Sequence, residues 1–313
     1  MPGQNLTKLP ERNLDVLRAT AVLLVLTGHL LMVLDLRLPF VSVWTLGHAG
    51  VLLFFVHTSL VLMSSIERNG VSGKWVRHFY LRRAFRIYPL AIVVVLLSAL
   101  LRLPPHAVPI TEANPSVPPT FTTLFANLTL TQNLFVDGRD IQGVLWSLPL
   151  ELQMYLVLPV AFLFARRSVR GTLVLFGLCI VAALAFPRMS EMIPGTWRLN
   201  VITYSPYFMF GVLCYSVLHA GYKMPQLAKS WFTSFAKTIC TYSYGIYLLH
   251  VPILWLAFTV LHAAPSIVQW ATFGSLLVAL PYIAYRSIEE PGIAFGRRLV
   301  HGSRIRIAEV AAP

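Results

Sequence analysis

The sequence predicts an all-α membrane protein, a polytopic helix bundle of about eight transmembrane helices with both termini cytoplasmic. Three observations predict it. Of 313 residues, 57% are hydrophobic and only 12% charged, against about a quarter charged in an average soluble domain. Apolar runs long enough to cross about 30 Å of hydrocarbon recur along the chain. The net charge of +13, with a pI near 10.1 and a mean hydropathy of +0.69, gathers in short loops between those runs. That pattern orients a chain in a bilayer, and no nucleic-acid partner is expected.

The first run, 14–34, is too long for a signal peptide, contains Arg18 and lacks a small-residue cleavage site, so it reads as a retained span. The second and third, 44–64 and 84–102, flank a loop holding Arg68, Lys74, Arg77, Arg82 and Arg83. Runs 144–165 and 171–187 are joined through Arg166, Arg167 and Arg170. Runs 201–219 and 238–260 are separated by a stretch with Lys223 and Lys229, and 266–286 completes the set. The basic loops are expected in the cytoplasm, together with Lys8, Arg12 and the tail residues Arg297, Arg298, Arg304 and Arg306. The alternate loops 103–143, 188–200 and 262–265 carry few basic residues and belong outside. The Pro- and Thr-rich 103–143 segment is either a surface over a substrate entry or an uninvolved linker. With no internal repeat or soluble domain, 1–313 reads as a single integral-membrane domain. Cys179, Cys214 and Cys240 are isolated in apolar sequence. They read as small apolar residues, with no metal or disulfide framework expected.

Polar residues inside the spans are where chemistry is expected, because an ionisable side chain in hydrocarbon is costly without a partner. Arg18 and His29 share one face of the first helix, about 16 Å apart along its axis, and Asp15 on that face would partly neutralise Arg18. Arg83 and Arg86, three apart at the cytoplasmic mouth of the third span, either bind phosphate or anchor the helix at anionic head groups. Glu151, some eight residues into the fourth run and near Trp146, Ser147 and Tyr155, needs a cationic partner; Arg18, Arg83 or Arg86 would serve. It is a site residue or a structural ion pair. Tyr244, Tyr247 and His250 sit at helical spacing in the seventh run, where a histidine commonly packs through hydrogen bonds.

The stretches RNLDVLRATAVLLVLTGH, GHAGVLLFFVHTS, RRAFRIYP, WSLPLELQMYLVLP, SYGIYLLHVP and IEEP, in this order over residues 12 to 291, resemble acyltransferase family 3. This family comprises integral-membrane enzymes whose bacterial members O-acylate cell-surface carbohydrates. The resemblance implies functional roles for Arg18, His29, Arg83 and Arg86. It implies donor binding by the three arginines and catalysis by His29 as general base or acyl-carrying nucleophile. Asp15, Glu151, Trp146, Ser147, Tyr244 and His250 would support them. It also implies acyl-CoA, acetyl-CoA first, as a donor substrate rather than a bound cofactor, a carbohydrate acceptor, and a multi-pass location in the cell membrane, expected to be the bacterial inner membrane. A separate periplasmic transfer partner would fit, since no soluble domain is attached. The chain departs from the family in two places. The family commonly has about ten spans, and the stretch from Gly211 to Tyr242 leaves no room for the extra pair. Where the family reads FFVxSG, residues 54–59 are FFVHTS, losing a glycine and gaining His57, which is either a packing group or a further acid/base.

Another class uses the same residues. A transporter of an acyl group or glycan would employ a buried Arg, His and Glu as a relay, although the paired inverted repeats common among transporters are not evident here.

Overall fold

The computed structural model describes residues 10–71, 73–104, 118–135 and 140–310. Lys8 and most of the Pro- and Thr-rich loop lie outside the described residues, as do the side chains of Arg304 and Arg306.

Helices account for the regular structure throughout, and no strand occurs among the described residues. The long helices are α1 (Glu11–Val33), α2 (Val43–Asn69) and α3 (Trp75–Leu100). Two short ones, α4 (Phe121–Leu128) and α5 (Gln132–Phe135), lead to a 3-10 turn at Gly143–Trp146. Then come α6 (Ser147–Ala165), α7 (Val169–Met192), α8 (Val201–His219), α9 (Trp231–Leu254), α10 (Ser266–Ala284) and α11 (Glu290–Val310). Eight helices are long and apolar enough to cross a membrane, one for each expected run. Large apolar side chains stand exposed in rows along α6 and α7, including Leu156, Val160, Leu173, Val181 and Leu184. Water would not tolerate such a surface on a monomer, whereas lipid does.

Two helices begin earlier than their apolar runs. Nothing between Lys74 and Ala84 breaks a helix, so α3 starts at Trp75 and carries its basic residues with it. For α9 the signal is a capping box: Ser230 Oγ accepts from Thr233 N and Thr233 Oγ1 from Ser230 N. The connection 220–230 between α8 and α9 has no further helix, in keeping with the missing pair of spans.

The core is α1 packed between α2 and α9. Small residues bring α1 and α2 together. A Cβ on Gly28 would lie 2.7 Å from Gly47 N, and one on Gly50 would lie 2.5 Å from Ala21 O. Neither fits, so this crossing is a close small-residue contact of the kind that holds membrane helices where the hydrophobic effect is absent. It fixes His29 beside the start of α2. A second compensation stands at α2–α8, where Ser59 occupies the position of the family glycine. Gly211 lies directly across from it, and any Cβ there would collide with the Ser59 hydroxyl.

Pro252 and Pro281 interrupt the hydrogen-bond ladders of α9 and α10, and each is followed by a π-helical turn, at Trp255–Val260 and Tyr285–Glu289. The second turn rotates Glu289 into the interior, where its residue is 1% exposed.

Candidate functional site

Two cavities lie along α1, one toward each end of the bundle. The basic end is the one at which α1, α3, α7 and α9 begin, and it carries Lys74, Arg77, Arg166, Arg170 and Lys223.

The cavity nearer the basic end has a volume of about 90 Å³ and is lined by Arg18, Arg83, Arg86, Glu151 and His57 among others. Arg18, well inside α1, donates from Nε to Ser243 Oγ at 2.6 Å. Ser243 in turn donates to Cys240 O at 2.8 Å. Arg86 forms a 2.7 Å ion pair with Glu289, and its guanidinium lies 5.7 Å from the Tyr244 ring centroid. Tyr244 donates to Ile87 O at 2.7 Å, tying α9 to α3. Among the described residues neither Arg18 nor Arg83 has a carboxylate at ion-pair distance. Of the three cavity arginines, these two therefore keep charge available for a ligand.

Several sequence expectations are corrected here. Arg83 and Arg86 are not at the mouth of α3, because the helix starts at Trp75 and carries both into the bundle. Asp15 does not pair with Arg18. Asp15 lies beside the Cys240 thiol of α9, while Arg18 turns toward Ser243. Among the described residues Glu151 forms no direct ion pair: it accepts a hydrogen bond from Tyr155, with Arg18 and Arg83 at Coulombic range. Among the described residues the carboxylate that pairs with a cavity arginine is Glu289, which the sequence shows only as part of IEEP. His57 is buried and lines this cavity, and its Nδ1 has no hydrogen-bond partner.

The second cavity, toward the opposite end, is larger, at about 460 Å³. His29 lines it with Trp44, His48, Asp140, Trp146 and Tyr204. His29 Nδ1 contacts Val25 O at 2.9 Å and His250 Nε2 at 3.4 Å, with the two rings edge to face at 4.9 Å. Carbonyl oxygens only accept, so Nδ1 of neutral His29 carries the hydrogen and Nε2 keeps the lone pair. The same logic applies to His250, whose Nδ1 donates to Ile246 O at 3.1 Å and Tyr247 O at 2.8 Å. Its Nε2 is then an acceptor facing His29. A proton arriving at His29 Nε2 would leave an imidazolium whose Nδ1–H is already held by two acceptors.

Tyr247 and Val51 line both cavities and form the partition between them. Tyr247 donates to Val144 O at 2.9 Å and meets the Ser147 hydroxyl at 2.7 Å. Gln142 Nε2 donates to Leu248 O at 2.7 Å, holding the 3-10 turn that carries Trp146 against α9. Arg18 and His29 thus face different cavities from one unbroken helix, and the partition stands between them.

Asp140 lies outside the spans, next to this turn. Burial pushes its carboxyl up to about 7, against the opposing pull of a hydrogen bond from Gln132. The folded chain therefore binds a proton there between pH 3.8, the ordinary carboxyl value, and about 7, where the unfolded chain does not. Stability falls as pH rises through that window. Asp140→Asn is expected to flatten this slope between pH 5 and 8, as read from melting midpoints in detergent; an unchanged slope would show that Asp140 titrates normally.

A family model described as an acyltransferase domain, that of acyltransferase family 3, matches residues 11–236. This range includes Arg18, His29, Arg83, Arg86 and Glu151, while His250 and Glu289 lie beyond it. The chain is similar to Nodulation protein 10 of Rhizobium leguminosarum bv. viciae, with 26% identity over 242 residues, 71% of this chain. It covers 64% of that relative's length. No solved structure matches.

Proposed function

Because this chain belongs to acyltransferase family 3, we propose that it moves an acyl group, acetyl in the first instance, from a CoA thioester to a hydroxyl of a cell-surface or lipid-linked carbohydrate. The donor enters at the basic end, which faces the cytoplasm of a bacterial cell, and the acceptor enters at the opposite end. One observation carries this reading: Arg18 and His29 lie on one helix but in separate cavities that meet at Tyr247 and Val51.

The arginine cavity has the volume of about three liquid waters, enough for the tip of an acyl thioester and too little for a nucleotide. The CoA phosphates would rest at its basic rim, toward Arg83, with Arg18 deeper as the second guanidinium. The pantetheine arm would then span the roughly 16 Å to His29. Arg86, held by Glu289, shapes the wall and contributes less to phosphate binding. At the partition the acceptor oxygen adds to the thioester carbonyl carbon while its proton passes to His29 Nε2. The C–S bond then breaks, and the departing thiolate takes that proton from the imidazolium, restoring neutral His29. His250 is a positioning residue, holding the tautomer and supporting the transient cation.

Sidedness tests this reading. In proteoliposomes, acetyl-CoA added outside is expected to be turned over only by molecules whose basic end faces out. That fraction is scored by impermeant maleimide labelling of a Lys223→Cys variant in the 220–230 connection. Turnover that follows the opposite orientation would refute donor entry at the basic end.

A further inference from the structure

We infer that the larger cavity is an acceptor subsite for one pyranose ring of a glycan, in which Trp44, His48 and Trp146 form the stacking wall and Asp140 holds a hydroxyl beside the reacting one. This inference rests on the acyl-transfer reading and deepens it, by assigning the acceptor's chemistry and the residues that recognise it.

The wall is built from three parts of the chain. His48 stacks on Trp44, one turn back on α2, with ring centroids 4.7 Å apart and planes inclined by 12°. It also stacks on Trp146 of the 3-10 turn, at 5.5 Å and 4°. Tyr204 of α8 closes the corner, 5.3 Å from Trp146. Tryptophans near helix ends commonly sit in the lipid interface, which would account for Trp44 alone. It does not account for an imidazole layered between two indoles from separate elements, nor for their facing a cavity that contains His29. Rigid aromatic rings with a few convergent polar groups are the usual make-up of a small-ligand site. A pyranose matches it, with apolar C–H faces for the rings and hydroxyls at its edge.

Asp140 supplies the edge contact. Its Oδ1 accepts from Gln132 Nε2 at 2.9 Å, and Gln132 Nε2 also donates to Leu145 O at 3.3 Å, so the carboxylate is braced from behind. Asp140 itself is one of the residues that line the cavity. In either protonation state the Asp140 carboxyl can hydrogen-bond a sugar hydroxyl. The volume, about 460 Å³, equals that of about fifteen liquid waters. It holds a ring and its substituents, while the rest of a glycan would extend outward past Trp44, which is 63% exposed.

In this arrangement the hydroxyl that gives its proton to His29 is the neighbour of the one held by Asp140. The ring stacked on the wall keeps the reacting oxygen on the partition side. Asp140 therefore determines which hydroxyl is acylated and takes no proton itself.

The test uses the full chain in nanodiscs with radiolabelled acetyl-CoA. Methyl β-glucoside, methyl β-galactoside, methyl α-rhamnoside and methyl N-acetyl-β-glucosaminide serve as probe acceptors, and glycerol 1-phosphate as the anionic comparison. At least one pyranoside is expected to be O-acetylated and to quench tryptophan fluorescence, while glycerol phosphate does neither. Asp140→Asn and, independently, Trp146→Phe should raise the KM for that pyranoside by about tenfold or more with the acetyl-CoA Kd unchanged. Asp140→Glu should recover part of the loss. Acetylation of glycerol phosphate, or of no pyranoside while acetyl-CoA is still bound and hydrolysed through His29, would overturn the inference and leave the donor reading intact. A protein that does not bind acetyl-CoA at all would instead remove the proposed function, and this inference with it.

Discussion

His29→Ala is expected to slow acyl transfer by about 10²–10⁴-fold, the usual contribution of a positioned general base, with acetyl-CoA binding retained. Position and tautomer both lead to this result. His29 lines the larger cavity, and its Nδ1 hydrogen is held by Val25 O and faces His250 Nε2, which makes Nε2 the nitrogen that would take the substrate proton. The effect of His250 should be smaller and different in kind. His250→Phe fills the same interior space but removes the acceptor behind His29, so kcat should fall by roughly one to two orders of magnitude, with the donor KM little changed. If His250→Phe raised the donor KM and left kcat alone, His250 would be a packing residue and the paired-histidine account would be wrong. Pre-steady-state kinetics on the two variants distinguish these outcomes.

Arg86→Ala is expected to destabilise the bundle by about 3–5 kcal/mol. It would leave the Glu289 carboxylate, whose side chain is 0% exposed, charged in the interior with no partner at ion-pair distance. The pair joins α3 to the π turn after α10 and so closes one side of the arginine cavity. Glu289→Ala should cost a similar amount by stranding Arg86. The double change Arg86→Leu with Glu289→Leu should recover most of the loss, because a buried pair replaced by apolar side chains is often neutral. Melting midpoints of the three variants in one detergent decide it. Two single variants as stable as the parent would mean that the pair contributes nothing to the fold.

Much of this architecture was legible in the sequence for a simple reason. Hydropathy reads what faces lipid, and all eight spans were found because hydrocarbon imposes a minimum apolar length. It reads polar helix extensions poorly: the apolar run begins at 84 whereas α3 begins at Trp75, and that difference carries Arg83 and Arg86 from the mouth of the span into the bundle. The Ser230 and Thr233 capping box was in view as a sequence pattern and would have started α9 correctly. Partners across helices were less legible. Same-face spacing suggests Asp15 as the partner of Arg18, whereas Arg18 turns to Ser243, because spacing on one helix says nothing about what a neighbouring helix presents. Glu289 reaches Arg86 only through the π turn that follows Pro281, a distortion that no helical period describes. The acceptor-side wall was missed except for Trp146. Trp44, His48, Asp140 and Tyr204 come from α2, a connecting segment and α8, and each looks ordinary where it stands.

The central claim is that one helix divides the work, with donor affinity at Arg18 and proton transfer at His29. Its most direct test measures acetyl-CoA Kd and single-turnover rate side by side for the intact chain, Arg18→Ala and His29→Ala in nanodiscs. The account predicts that Arg18→Ala weakens binding by about tenfold or more, in line with the loss of a charged phosphate contact, while turnover at saturating donor persists. His29→Ala should bind as the intact chain does and fail to turn over. Equal losses of affinity and rate in both variants, or turnover that survives without His29, would contradict it.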